Sequence, residues 1–85
     1  MKFIAEIDVM PHKALLDPQG KAVTHGLSNM GLKEIENVRI GKHITLEIDA
    51  DSADAAKSKI DEACKKLLSN PIMETYHFEL QQSEN

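Results

Sequence analysis

Four histidines, at positions 12, 25, 43 and 77, and one cysteine, Cys64, are the side chains best suited to metal binding or nucleophilic chemistry. A zinc site asks for ligands three or four residues apart on a helix, or for paired cysteine and histidine spacings. No histidine here has such a partner. Cys64 falls in an apolar stripe, where a thiol behaves as a small hydrophobe. Glycines 20, 26, 31 and 41 are scattered, with no G-x-G-x-x-G or Walker pattern to cradle a phosphate. Carboxylates are numerous but decorate predicted helix faces, the usual mark of a solvated surface. No nucleophile is paired with an oriented base, so neither catalytic residues nor a metal site is expected. The polar residues without a plain structural duty form two groups. Gln19, Lys21 and His25 lie on one side of a predicted helix start. Arg39, Lys42 and His43 cluster around Gly41. These six are the candidate residues of a surface that meets another protein. The plainer alternative is that Gln19 and Lys21 solvate a helix start while Arg39 pairs with a nearby carboxylate.

The elements that carry these residues follow from hydrophobic spacing. Residues 2–9 alternate, with Phe3, Ala5, Ile7 and Val9 on one side and Lys2, Glu6 and Asp8 on the other; Ile4 is the exception. This predicts a half-buried strand ended at Met10 to Lys13 by Pro11, which cannot donate to a ladder. Asp17 and Pro18 predict a capped helix start, with Leu15 and Leu16 placed to fold back as a staple. The helix should run to about Met30, with Val23, Leu27 and Met30 on one stripe. Gly20 and Gly26 weaken it, which suggests close approach of a sheet, a helix or a second protein. Gly31 is the expected left-handed residue after the helix, with Leu32 closing the end.

Residues 35–49 read as strand in one of two ways. Either a turn at Gly41 to His43 makes a hairpin, or one long strand bends at Gly41; both keep Val38, Ile40, Ile44, Leu46 and Ile48 on one face. Asp51 and Ser52 are two cap candidates for a helix over 53–69. Its buried stripe is Ala56, Ile60, Ala63, Cys64, Leu67 and Leu68, and Asp61–Lys65 and Glu62–Lys66 are favourable i,i+4 pairs. Asn70-Pro71 stops it. A last strand over 72–80 places Ile72, Tyr76, Phe78 and Leu80 inward, and residues 81–85 form a frayed polar tail. The pattern β-α-β(β)-α-β predicts an α+β two-layer sandwich: a small, mainly antiparallel sheet with two helices on one face. One domain should span 1–80. The opposite sheet face, with Ile4, Met73, Thr45, Arg39 and His77, is not fully polar and suggests a partner or self-association.

The totals narrow the classes. At 85 residues, a modest core often leans on a partner for stability. A net charge of −4 and a single arginine argue against nucleic acid. No stretch approaches a membrane span and no signal peptide is evident, so a cytoplasmic protein is expected, in keeping with one unpaired cysteine.

Three linked blocks then carry a family resemblance. They are Leu16 to Val23 (LDPQGKAV), Val38 to Leu46 (VRIGKHITL) and Cys64 to Tyr76 (CKKLLSNPIMETY). In order and spacing they resemble the PurS family, the small subunit of phosphoribosylformylglycinamidine (FGAM) synthase. The resemblance covers nearly the whole chain except the last few residues, and His43 stands where such proteins often have an aromatic ring. It implies a role in de novo purine synthesis, where formylglycinamide ribonucleotide, glutamine and ATP yield formylglycinamidine ribonucleotide. It implies a subunit with no catalytic residues or cofactor of its own. It further implies a homodimer or higher homo-oligomer that bridges the glutaminase subunit PurQ and the synthetase subunit PurL, and assists ammonia transfer between them. ATP and magnesium would belong to the synthetase partner.

Two other classes compete. A ferredoxin-like or ACT-type small-ligand regulatory module suits the element count, but residues 10–16 lack the glycine-rich sensing loop. A free-standing enzyme would have to use His12 or His25 as a base, with no oriented partner evident.

Overall fold

The alternation of residues 2–9 becomes the central strand of the sheet. In a computed structural model describing residues 1–13 and 17–83, β1 (Lys2–Pro11) pairs antiparallel with β2 (Lys42–Asp49) on one edge and β3 (Glu74–Gln82) on the other. Phe3, Ala5, Ile7 and Val9 are buried and Ile4 faces the other side. The registers Phe3–Ile48, Ala5–Leu46 and Ile7–Ile44, with Ala5–Leu80, Ile7–Phe78 and Val9–Tyr76, put all apolar sets on one face. The predicted staple residues Leu15 and Leu16 lie outside the described residues.

That face is covered by α2 (Ala53–Ala63), capped by Ser52, whose Oγ accepts from Ala55 N at 3.1 Å. Ala56, Ile60 and Cys64 close the core. Both expected ion pairs form on its outer side, Lys65–Asp61 at 3.0 Å and Lys66–Glu62 at 2.6 Å. The helix does not keep its pitch to Ser69. Cys64–Leu68 is a π-helical turn, closed by Ser69 N and Oγ on Cys64 O. The wider turn swings Leu67 out of the predicted stripe, leaving it 83% exposed. Tyr76 Oη donates to Asp61, tying β3 to α2. This bond, with partial burial, pushes the phenol up to about 12. In turn Tyr76 and then Lys65 hold the Asp61 carboxyl below its usual range.

The last strand starts two residues later than its apolar pattern predicts. Asn70 is the reason: Ile72 N donates to its side chain at 3.1 Å, while Met73 N and Glu74 N donate to its carbonyl. Ile72 therefore sits in a turn, 84% exposed instead of inward. At the other end, Gln81 and Gln82 are not a frayed tail. They pair with Ile4 and Phe3, because β1 begins at Lys2 and offers partners that far.

Residues 35–40 form neither a hairpin arm nor a continuation of β2. Asn37 has φ 57°, which breaks the extended run. The amides of Val38 and Ile40 are spent on the side chains of Thr24 in α1 (Pro18–Asn29) and of Asp17, its cap. A strand edge cannot form from donors already used. Arg39 and Met73 consequently lie outside the sheet and do not contribute to its open face.

The result is the expected α+β architecture, an antiparallel sheet with two helices on one face. The helices contribute unequally. α2 completes the core, whereas α1 is anchored through its first turns to residues 38–40 and leaves Val23 exposed. The chain measures 52 × 28 × 14 Å with a radius of gyration of 16.7 Å, against about 12 Å for a compact chain of this length.

Candidate functional site

The start of α1 carries three of the six candidate residues, and Asp17 sets its position. Asp17 Oδ1 accepts from Gly20 N at 3.0 Å, the predicted cap, and Oδ2 accepts from Ile40 N at 2.9 Å. Hydrogen bonds from Gly20 and Ile40, with Arg39 nearby, hold the Asp17 carboxyl below its usual range. Two turns after Asp17, Thr24 Oγ1 donates to Gly20 O at 2.8 Å and accepts from Val38 N at 3.1 Å. Two side chains thus lace the helix start to the irregular segment 38–40.

This lacing explains Gly20. A Cβ there would stand 2.1 Å from Val38 O. The bare backbone makes room for the chain's own residues 38–40, not for a second protein. Gly26 is different, since a Cβ there meets nothing within 4 Å. The end of α1 is as the sequence predicts. Gly31 has φ 91°, Leu32 N bonds Leu27 O at 2.9 Å and Gly31 N bonds Ser28 O at 3.1 Å, a Schellman closure.

Beside this joint lies a surface cleft of about 450 Å³, between α1 and the turn before β3. Pro11, Pro18, Gln19, Ile40 and Met73 supply its walls, with Asp17, Asn70 and Glu74 as polar groups. Gln19 is the one candidate residue that lines it. Lys21 and His25 are exposed elsewhere on α1. Arg39 is half-buried, and its charge acts on the Asp17 carboxyl without an ion pair between them.

Lys42 and His43 separate, because adjacent strand residues face opposite ways. Lys42 opposes Val9 at the end of the helix-covered face. His43 is on the open face, where its Nδ1 meets Asp8 Oδ1 at 2.6 Å. That contact raises the imidazole above its ordinary value. The six residues thus form no single patch: three are on α1, Arg39 is at the joint, and Lys42 and His43 are on opposite sides of β2. Sequence spacing missed Thr24 and Ile40 as the lacing partners, and Asn70 and Glu74 as cleft residues. Their contacts join distant parts of the chain and leave no local signature.

Chemistry is sparse at these positions. His12 Nε2 meets Pro71 O at 3.4 Å, a carbonyl instead of an orienting carboxylate. Among the described residues no group of three or more His, Cys, Asp or Glu is arranged to hold a metal ion. Burial pushes the Cys64 thiol up, away from the reactive thiolate. No helix among the described residues is long and apolar enough to cross a membrane.

Comparison with known proteins accounts for nearly the whole chain. The sequence model of PurS, phosphoribosylformylglycinamidine (FGAM) synthase, matches residues 4–82. The phosphoribosylformylglycinamidine synthase subunit PurS of Bacillus subtilis is 40% identical over 70 residues, 82% of each chain. The structure of B. subtilis PurS superposes with a TM-score of 0.86 at 36% identity, covering 94% of this chain and 99% of that one. A chain in the structure of PurLQS from Thermotoga maritima gives a TM-score of 0.86 at 30% identity, covering 95% and 99%. The protein is a member of the PurS family.

Proposed function

We propose that this chain is the small, non-catalytic subunit of phosphoribosylformylglycinamidine synthase, acting in the cytoplasm. The observation that carries this reading is its near full-length likeness to a chain of the PurLQS assembly. The chain works as a homo-oligomer that bridges a glutaminase subunit and an ATP- and magnesium-using synthetase subunit. It assists the passage of ammonia from one to the other. Its own contribution is geometric: Asp17 and Thr24 fix the angle at which α1 leaves the body, so α1 and the cleft beside it are presented as one preorganised surface. Gln19, Lys21, His25 and Arg39 contribute to docking there, and Lys42 and His43 contribute from the two sides of β2.

The test is gel filtration of the chain with both partner subunits, using Lys21→Glu and Arg39→Glu variants whose circular dichroism matches wild type. Loss of co-elution and of glutamine-dependent activity is expected. Unchanged co-elution with unchanged activity would remove these residues from the docking surface.

A further inference from the structure

α1 is an amphipathic helix that packs against nothing in its own chain. Among its residues, all of them described, only Gly20 is buried. Its apolar stripe meets solvent: Val23 is 41% and Met30 75% exposed, with Leu27 half-buried beside them. Ten strand residues span about 33 Å and twelve helical residues about 18 Å. The 52 Å length of the chain therefore places α1 beyond the strand ends instead of over them. α2 packs on β1 and β3, and α1 packs comparably on no strand. The helix-covered face of the sheet is left short of cover. Three strands span about 14 Å, wider than one helix of about 10 Å. Tyr76 holds α2 toward β3 through Asp61, so β2 keeps Ile44, Leu46 and Ile48 only half-buried on that face. The flank of α2 turned away from Asp61 offers Ala55 and Ala63, small and half-buried, where a second helix can come close.

Surface area points the same way. A compact folded chain of 9.5 kDa exposes about 5,000 Å², and this one exposes 6225 Å². The excess, about 1,200 Å², is larger than the roughly 800 Å² that each partner gives to a stable interface. From this arrangement we propose that two copies of the chain pair about a two-fold axis, the α1 of each lying beside α2 on its partner's sheet. Val23, Leu27 and Met30 of one copy then cover Ile44, Leu46 and Ile48 of the other. The proposal rests on the homo-oligomeric part of the reading above and adds which surfaces meet. The bonds of Asp17 and Thr24 to residues 38–40 hold α1 away from its own sheet. A different protein seated on the stripe would leave β2 bare. A second copy covers stripe and strand in both chains with one operation. Lys21 and His25 lie on the opposite side of α1 from the stripe, so they stay available to the other subunits.

The experiment is sedimentation velocity of the full chain, comparing wild type, the stripe variant Val23→Glu with Met30→Glu, and Lys21→Glu. Wild type and Lys21→Glu should sediment as pairs or multiples of pairs, and the stripe variant at the 9.5 kDa monomer mass. An unchanged assembly in the stripe variant would overturn the proposal and leave the homo-oligomer reading intact. A monomeric wild type would overturn that reading itself. A second measurement does not depend on the stripe variant folding. A chain carrying Met30→Cys is mixed with a differently tagged chain carrying Leu46→Cys, and a short bismaleimide is added; the native Cys64 is buried. A product bearing both tags is expected, and Thr45→Cys, on the opposite face of β2, should give none. Absence of the mixed product, or equal yield from Thr45→Cys, would overturn the proposal. Loss of glutaminase or synthetase binding by a stripe variant that keeps the wild-type homo-oligomer mass would assign the stripe to that subunit and likewise overturn it.

Discussion

Gly20 and Gly26 lie six residues apart in one helix, and alanine at each should move stability in opposite directions. On helix propensity alone, both substitutions gain about 1 kcal/mol. At Gly26 nothing opposes that gain, because the new Cβ enters open space. Gly26→Ala should therefore stabilise the chain by about 0.5–1 kcal/mol. At Gly20 the Cβ would stand 2.1 Å from Val38 O, more than an ångström short of the 3.4 Å where ordinary contact begins. The obstacle is backbone and cannot rotate away. Overpacking of this kind costs about 1–3 kcal/mol. Moving residues 38–40 aside also disturbs the Val38–Thr24 and Ile40–Asp17 bonds. The net effect of Gly20→Ala should be a loss of about 1 kcal/mol or more. For a chain this size that corresponds to a melting temperature about 4–8 °C lower per kcal/mol. Thermal melts followed by circular dichroism, at one fixed chain concentration, read both variants. Two increases of similar size would refute the reasoning and return Gly20 to ordinary helix weakness.

The π-helical turn gives a second paired test in urea unfolding. Ile60→Ala should cost about 2–5 kcal/mol, while Leu67→Ala should stay within about 0.5 kcal/mol, although the two share a stripe on a regular helix. Tyr76 is the one tyrosine, so phenolate absorbance reports it alone. Its folded value lies near 12, above the ordinary 10.0, so its bond to Asp61 stabilises the fold at pH below 10 and is lost as pH rises through about 12. Asp61→Asn should bring the titration back toward 10. His43 is likewise raised, so its contribution is complete below pH 6.5 and fades as pH climbs through the higher folded value. An NMR titration should find its midpoint above 6.5 and restored toward 6.5 by Asp8→Asn.

Local rules made much of the fold legible before any coordinates. The alternation around Ala5 and Ile7 gave the central strand, Asp17-Pro18 gave the helix start, and Gly31 gave its end. Each depends on residues close in sequence. What was not legible depends on distant partners. Nothing near Val38 announces that Thr24 will take its amide, so 35–40 read as strand. The apolar spacing from Ala56 to Leu68 fits a regular helix, and only the closure of Ser69 onto Cys64 shows that Leu67 turns outward. Ile72 obeyed strand parity but was captured by the Asn70 turn. The candidate docking residues share a lack of structural duties, a property that does not say which face each one occupies. The register of β2 against β1 then divided Lys42 from His43.

The most direct measurement is reconstitution of glutamine-dependent formylglycinamidine ribonucleotide formation from separately purified glutaminase, synthetase and this chain. Activity should require all three, and the chain alone should turn over nothing. Full glutamine-dependent activity from the other two subunits without it would contradict the account.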